Sequence, residues 1–87
     1  MQIEYSKKFI KEFKKCPSKV RIAFKNKLKT LTKNQFNPIL NNHSLSGKLK
    51  EYKSININGD WRAIFQEIKK EDVIYFVAIG THSKLYS

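Results

Sequence analysis

Acidic residues are scarce in this 87-residue chain: 7 Asp+Glu stand against 18 Lys+Arg, for a formal net charge of +11. That deficit points to a polyanionic partner: nucleic acid, an anionic membrane surface or an acidic protein segment. Cysteine occurs once, at Cys16. A single thiol makes no internal disulfide, so a disulfide-stapled scaffold is excluded. Its expected place is a small apolar site between two helices. With two histidines and scattered acids there is no HxxxH, CxxC or acidic cluster, and no metal or cofactor is expected. Three glycines are too few for a Gly-rich phosphate loop. No zinc-finger or RNP aromatic motif is present. No run approaches the ~20 apolar residues of a membrane span. The charged N-terminus lacks the apolar stretch of a signal peptide. A cytoplasmic protein with no membrane partner is expected.

What remains is enough for a fold. Hydrophobic residues make up 40% and aromatics 13%, more than a disordered chain carries. The length allows one domain over residues 1–87. The charge is uneven: residues 1–44 hold eleven cations and two acids, residues 45–87 seven and five. The first half is therefore a cationic block. A lysine-rich, AT-rich coding sequence would also raise lysine throughout.

Periodicity predicts the elements. Gln2–Tyr5 alternates as a strand, Ser6 is a helix N-cap, and Phe9, Ile10 and Phe13 share one helical face. Pro17 separates that helix from a second over about residues 18–33, where Val20, Phe24, Leu28 and Leu31 form an apolar stripe. Arg21, Lys25, Lys29 and Lys33 repeat every four residues beside it. This ridge is either a solvated face or a track for phosphates or an acidic protein segment. Residues 34–42 read as a loop. Residues 52–58 alternate, Asn58-Gly59 is a hairpin-turn dipeptide, and residues 61–68 form the next strand. Val73–Ile79 is apolar on both faces, as in a central, doubly covered strand, with Gly80 ending it and a tail or short turn following. The order is β-α-α-β-β-β: an α+β fold with two N-terminal helices on one face of a twisted, mainly antiparallel sheet.

Nothing about folding requires the residue types at the ends of the last strands. Metal-free RNA cleavage uses the 2′-hydroxyl as nucleophile, a base to deprotonate it, an acid for the 5′ leaving oxygen, and a cation on the phosphate. His82 carries an imidazole, which titrates in the physiological range. Arg62 presents a forked, permanently charged guanidinium. Asp60 is a candidate base or imidazole orienter, and Tyr86 a proton donor or stacking platform. Lys50 and Lys53 are candidates for flanking phosphates. Plain structural roles exist for each: strand capping for His82, an ion pair with Asp60 or Glu67 for Arg62, turn completion for Asp60, packing onto the sheet for Tyr86, and an ordinary loop position for His43. Only the set as a whole points to cleavage.

His43-Ser-Leu-Ser-Gly47, Tyr52-Lys53, Gly59-Asp60-Trp61-Arg62, Val73-Ile-Tyr-Phe and Gly80-Thr-His-Ser-Lys-Leu-Tyr86 together resemble the RelE/ParE toxin superfamily. Its YafQ-type mRNA interferases are the most similar branch. The resemblance implies a type II toxin that cuts mRNA, often in the ribosomal A site. It also implies an antitoxin partner and a toxin–antitoxin hetero-oligomer. By position, His82 matches the catalytic histidine near the C-terminus and Asp60 an acidic site residue. His43 matches the loop histidine, Tyr86 the terminal aromatic, and Arg62 a phosphate-contacting strand arginine. The family's aspartate and histidine on the strand are replaced by Ser54 and Asn56, so the load would fall on His82. Two other functions share these features: a ParE-like inhibitor of DNA gyrase, which needs no acid–base set, and a non-catalytic nucleic-acid-binding module.

Overall fold

The computed structural model describes residues 1–86. Strand β1 (Gln2–Tyr5) is followed by helices α1 (Lys7–Lys14) and α2 (Ser18–Lys33) and a short strand β2 (His43–Ser44). Strands β3 (Lys53–Asn58), β4 (Trp61–Ile68) and β5 (Val73–Thr81) come next, then a helical turn α3 (His82–Leu85). The five strands form one sheet in the order β1-β5-β4-β3-β2. β1 runs parallel to β5 and the other pairs are antiparallel, which makes the sheet mixed. The α+β class and the two helices on a mainly antiparallel sheet agree with the sequence reading.

Ser6 starts α1 as expected. Its hydroxyl oxygen accepts the Phe9 N–H at 3.0 Å and its hydroxyl donates to the Val77 carbonyl at 3.2 Å. One side chain thus caps the helix and ties it to β5. Ser6→Ala is expected to cost about 0.5–2 kcal/mol, the usual range for an N-cap. Denaturant unfolding would check this, and an unchanged midpoint would show that the cap carries no weight.

α1 and α2 pack on one sheet face. Phe9, Val20, Phe24 and Leu31 meet Ile55, Ile57, Ala63, Phe65, Ile74, Phe76 and Ile79 in a single core. Its centre is aromatic: Phe24 and Phe76 ring centroids are 5.1 Å apart, and Phe9 and Phe24 are 5.3 Å apart. Ile10, expected inside with Phe9, is 43% exposed, because one residue of helix turns it about 100° away. Cys16 is buried between the helices, and burial pushes its thiol pKa up, in keeping with a packing role.

A bulge in β5 decides which face each residue meets. Ile64 pairs with Ala78 and Phe65 with Phe76, leaving Val77 as the extra residue. Phe76 and Ile79 therefore both face the helices. β1 has ended there, and Glu12 Oε1 accepts the Ile79 N–H at 3.1 Å in place of a strand partner. On the other face, Ile64 and Ala78 share a hollow with Leu49, Tyr52 and Leu85, so the central strand has cover on both sides.

Three local expectations change. His43–Ser44 is a two-residue strand paired with Ser54 and Lys53 rather than loop, too short to leave a periodic signal. β5 runs through Gly80 to Thr81, and the Thr81 hydroxyl caps α3, giving the tail a defined shape. The hairpin turn is Gly59-Asp60, one residue later than Asn58-Gly59. Asn58 pairs with Trp61, and Gly59 takes φ +53. A positive φ at the first turn position suits glycine.

Candidate active site

On the sheet face away from the helices, a depression of about 360 Å³ is lined by Asn41, His43, Leu45, Arg62, His82 and Tyr86. Strand register builds it. Asn56, Arg62 and Gly80 are paired across β3, β4 and β5, while the neighbouring row carries His43, Ser54 and Ile64. The small Gly80 leaves room above it, and Leu85 would lie 3.4 Å from any Cβ added there. α3 is thereby seated close to the sheet.

Each group is held differently. The His82 N–H donates to the Asp60 carbonyl at 2.9 Å, so the hairpin turn fixes the start of α3. The Tyr86 N–H returns to the His82 carbonyl at 3.1 Å, and the two rings lie 4.7 Å apart at 59°. His43 Nδ1 is 2.8 Å from the Asn41 carbonyl oxygen. A carbonyl only accepts, so Nδ1 carries a proton and donates, which leaves Nε2 as the nitrogen facing away from Asn41. Asn41 offers that carbonyl from a left-handed conformation, φ 46, which asparagine tolerates better than most residues. Arg62 Nη1 donates to the carbonyls of Gly59 at 2.7 Å and Trp61 at 3.0 Å. Its remaining N–H donors make no hydrogen bond among the described residues.

His43, Arg62, His82 and Tyr86 thus come together, and the other expected residues do not. Asp60 contributes its backbone carbonyl; its carboxylate is exposed on the turn and does not line the depression. Lys53 lies on the helix-side face by strand alternation and pairs with Glu67 at 2.9 Å. Lys50 is exposed in the loop after the 3₁₀ turn Gly47–Leu49, outside the depression. Arg21 is not part of a free ridge: its Nη1 donates to the Cys16 carbonyl at 2.5 Å, closing the end of α1. Lys25, Lys29 and Lys33 remain exposed, but on the helix layer opposite the depression.

Ser54 and Asn56 lie in the rows beneath the site. Ser54 Oγ and Asn56 Oδ1 are both buried and have no hydrogen-bond partner among the described residues. With His43 beside Ser54 and Arg62 beside Asn56, they give the depression a polar floor. Sequence reading treated these positions only as missing ionisable groups. Among the described residues no three His, Cys, Asp or Glu side chains gather to hold a metal ion. Nor is any helix long and apolar enough to cross a membrane.

Comparison with known proteins places the chain in a family and shows the fold it shares. The family model described as "Bacterial toxin of type II toxin-antitoxin system, YafQ" matches residues 1–87. No curated protein matches the sequence. Among solved structures, YafQ from Escherichia coli strain BL21(DE3) is 23% identical with a TM-score of 0.83, covering 99% of this chain and 98% of that one. YafQ in the E. coli DinJ–YafQ complex is 24% identical with a TM-score of 0.80, covering 99% and 98%. A YoeB/ParE toxin from Agrobacterium tumefaciens has a TM-score of 0.79 at 10% identity, covering 94% and 99%. The fold is shared across the superfamily, and the match over the whole length carries the assignment: this chain belongs to the YafQ family of type II toxin–antitoxin toxins.

Proposed function

We propose that the chain is an endoribonuclease that cleaves mRNA at the ribosome by 2′-hydroxyl attack, and that a cognate antitoxin neutralises it. The observation that carries the reading is the gathering of two imidazoles, one guanidinium and one phenol around a single depression. His43 Nε2 removes the 2′-hydroxyl proton, and the 2′-oxygen attacks phosphorus. The bond to the 5′-oxygen breaks, and protonated His82 supplies the proton that the leaving oxygen needs. The free N–H groups of Arg62 take the charge that accumulates on the phosphoryl oxygens. Tyr86 stacks against a flanking base. Asp60 acts through its carbonyl, as the residue that positions His82. The products are a 2′,3′-cyclic phosphate and a 5′-hydroxyl.

The exposed Lys25, Lys29 and Lys33, with Lys50, are proposed contacts to ribosomal RNA, bound in a salt-dependent way. The partners are mRNA, the ribosome and an antitoxin. The E. coli relative was solved in complex with DinJ, which supports a toxin–antitoxin hetero-oligomer here too. The antitoxin's acidic segments would be drawn to the +11 surface. The expected compartment is the cytoplasm.

The mechanism is tested on ribosome-bound mRNA carrying a single 2′-deoxy nucleotide upstream of the cut. Cleavage there should fall to background, and the all-ribose message should yield cyclic-phosphate ends. Equal cutting of both messages would rule out 2′-hydroxyl attack.

A further inference from the structure

A second hollow, larger than the depression, is a groove of about 680 Å³ between α1 and the adjoining ends of β4 and β5. Resting on the nuclease reading above, we propose that this groove holds the single-stranded RNA flanking the scissile phosphate. Lys7, Lys8, Lys11 and Lys15 line one wall, with Trp61 and Thr81 on the other. The lysines follow one side of α1, at spacings of one, three and four residues. Lys7, Lys11 and Lys15 are exposed and make no ion pair among the described residues, while Lys8 pairs with Glu12 at 3.0 Å. The one carboxylate in the groove is thus already engaged, by Lys8 and by the Ile79 N–H.

The second observation is continuity. Trp61 lines the groove and Arg62 lines the depression; Thr81 lines the groove and His82 the depression. Neighbouring residues of a strand point to opposite faces, so the two hollows lie on opposite faces of the sheet and approach each other only around its edge, where β4 begins and β5 ends. An RNA strand that bends around this edge sets one phosphate by Arg62 and His82 and carries its flanking nucleotides to the α1 lysines. Trp61 is the chain's one tryptophan, half-buried against the core with part of its ring open to the groove. An aromatic face among cations is the usual platform for unpaired bases and favours RNA over an acidic peptide.

Because Trp61 is the sole indole, its fluorescence reports occupancy directly. The probe is a 2′-O-methyl RNA decamer, which lacks the attacking hydroxyl and is not cut, titrated over a salt series. Wild type should be quenched. Lys7/Lys11→Ala should lower the slope of log K against log salt by about 1.4, at roughly 0.7 per phosphate contact on a single strand. Lys69/Lys70→Ala removes the same charge from the β4–β5 hairpin at the far end of those strands and should leave the slope unchanged. Equal loss in both variants, or binding without quenching, would overturn the groove assignment. So would polyglutamate quenching Trp61 as strongly as RNA, which would point to an acidic protein segment instead. An unchanged slope in an enzyme that still cuts RNA removes the groove and spares the nuclease reading. The expected slopes in a wild type that cuts nothing remove the nuclease reading and spare the groove.

Discussion

Replacing His82 by alanine is expected to slow RNA cleavage about 10²–10⁴-fold, the range for a general acid or base, without loosening the fold. The His82 ring is exposed, and its ring contact is Tyr86 at 4.7 Å. The hydrogen bond that seats α3 comes from the His82 backbone N–H to the Asp60 carbonyl, and alanine retains it. Stability should therefore change by less than about 0.5 kcal/mol, as at ordinary surface positions. The paired readouts are the single-turnover cleavage rate and the thermal midpoint. A histidine that merely ends a strand would leave the rate unchanged, so normal cleavage by this variant would remove His82 from the mechanism.

Phe76→Ala should have the largest effect on stability, about 3–5 kcal/mol, as for other buried Phe→Ala changes. Phe76 is fully buried, with ring centroids of Phe24, Phe65, Phe9 and Tyr5 at 5.1, 5.5, 5.6 and 6.0 Å. Domains of this size sit near the lower end of the usual range of about 5–15 kcal/mol, so much of the total would be lost. The site should fail with the fold, since β5 carries Phe76 and continues into Gly80, Thr81 and His82. Phe76→Leu keeps most of the volume and should cost less than about 2 kcal/mol. Denaturant unfolding of both variants checks the order, and a shift below about 1 kcal/mol for the alanine variant would contradict the packing account.

The elements were legible because their signals are local. The Ser6 cap, the Pro17 break and the apolar stripe of α2 all act within a turn or two of chain. Four of the candidate residues, His43, Arg62, His82 and Tyr86, line one depression. What failed was any judgement about facing. Periodicity tells which side of an element a residue occupies, but not what lies opposite. Lys53 reads as a free cation until strand pairing sets it beside Glu67. Arg21 reads as one member of a ridge until the α1–α2 corner brings the Cys16 carbonyl to it. Asp60 reads as an acid until the turn shifts by one residue and its carbonyl becomes the part that matters. The bulge at Val77 exchanges the faces of half a strand, and nothing in the alternation announces it. The α1 groove leaves no local signal, because Trp61 on its far wall lies more than forty residues from the α1 lysines in sequence.

The central claim is that the depression cuts mRNA with His82. It is tested most directly by inducing the wild-type chain and its His82→Ala variant in bacteria, with primer extension on a translated reporter mRNA. The account predicts growth arrest with new, in-frame cuts from the wild type and neither from the variant, with both proteins present at equal levels. Arrest by both without cuts would contradict it and point to a toxin that acts by binding, such as a gyrase inhibitor. Absence of arrest from either would leave a nucleic-acid-binding module without catalysis.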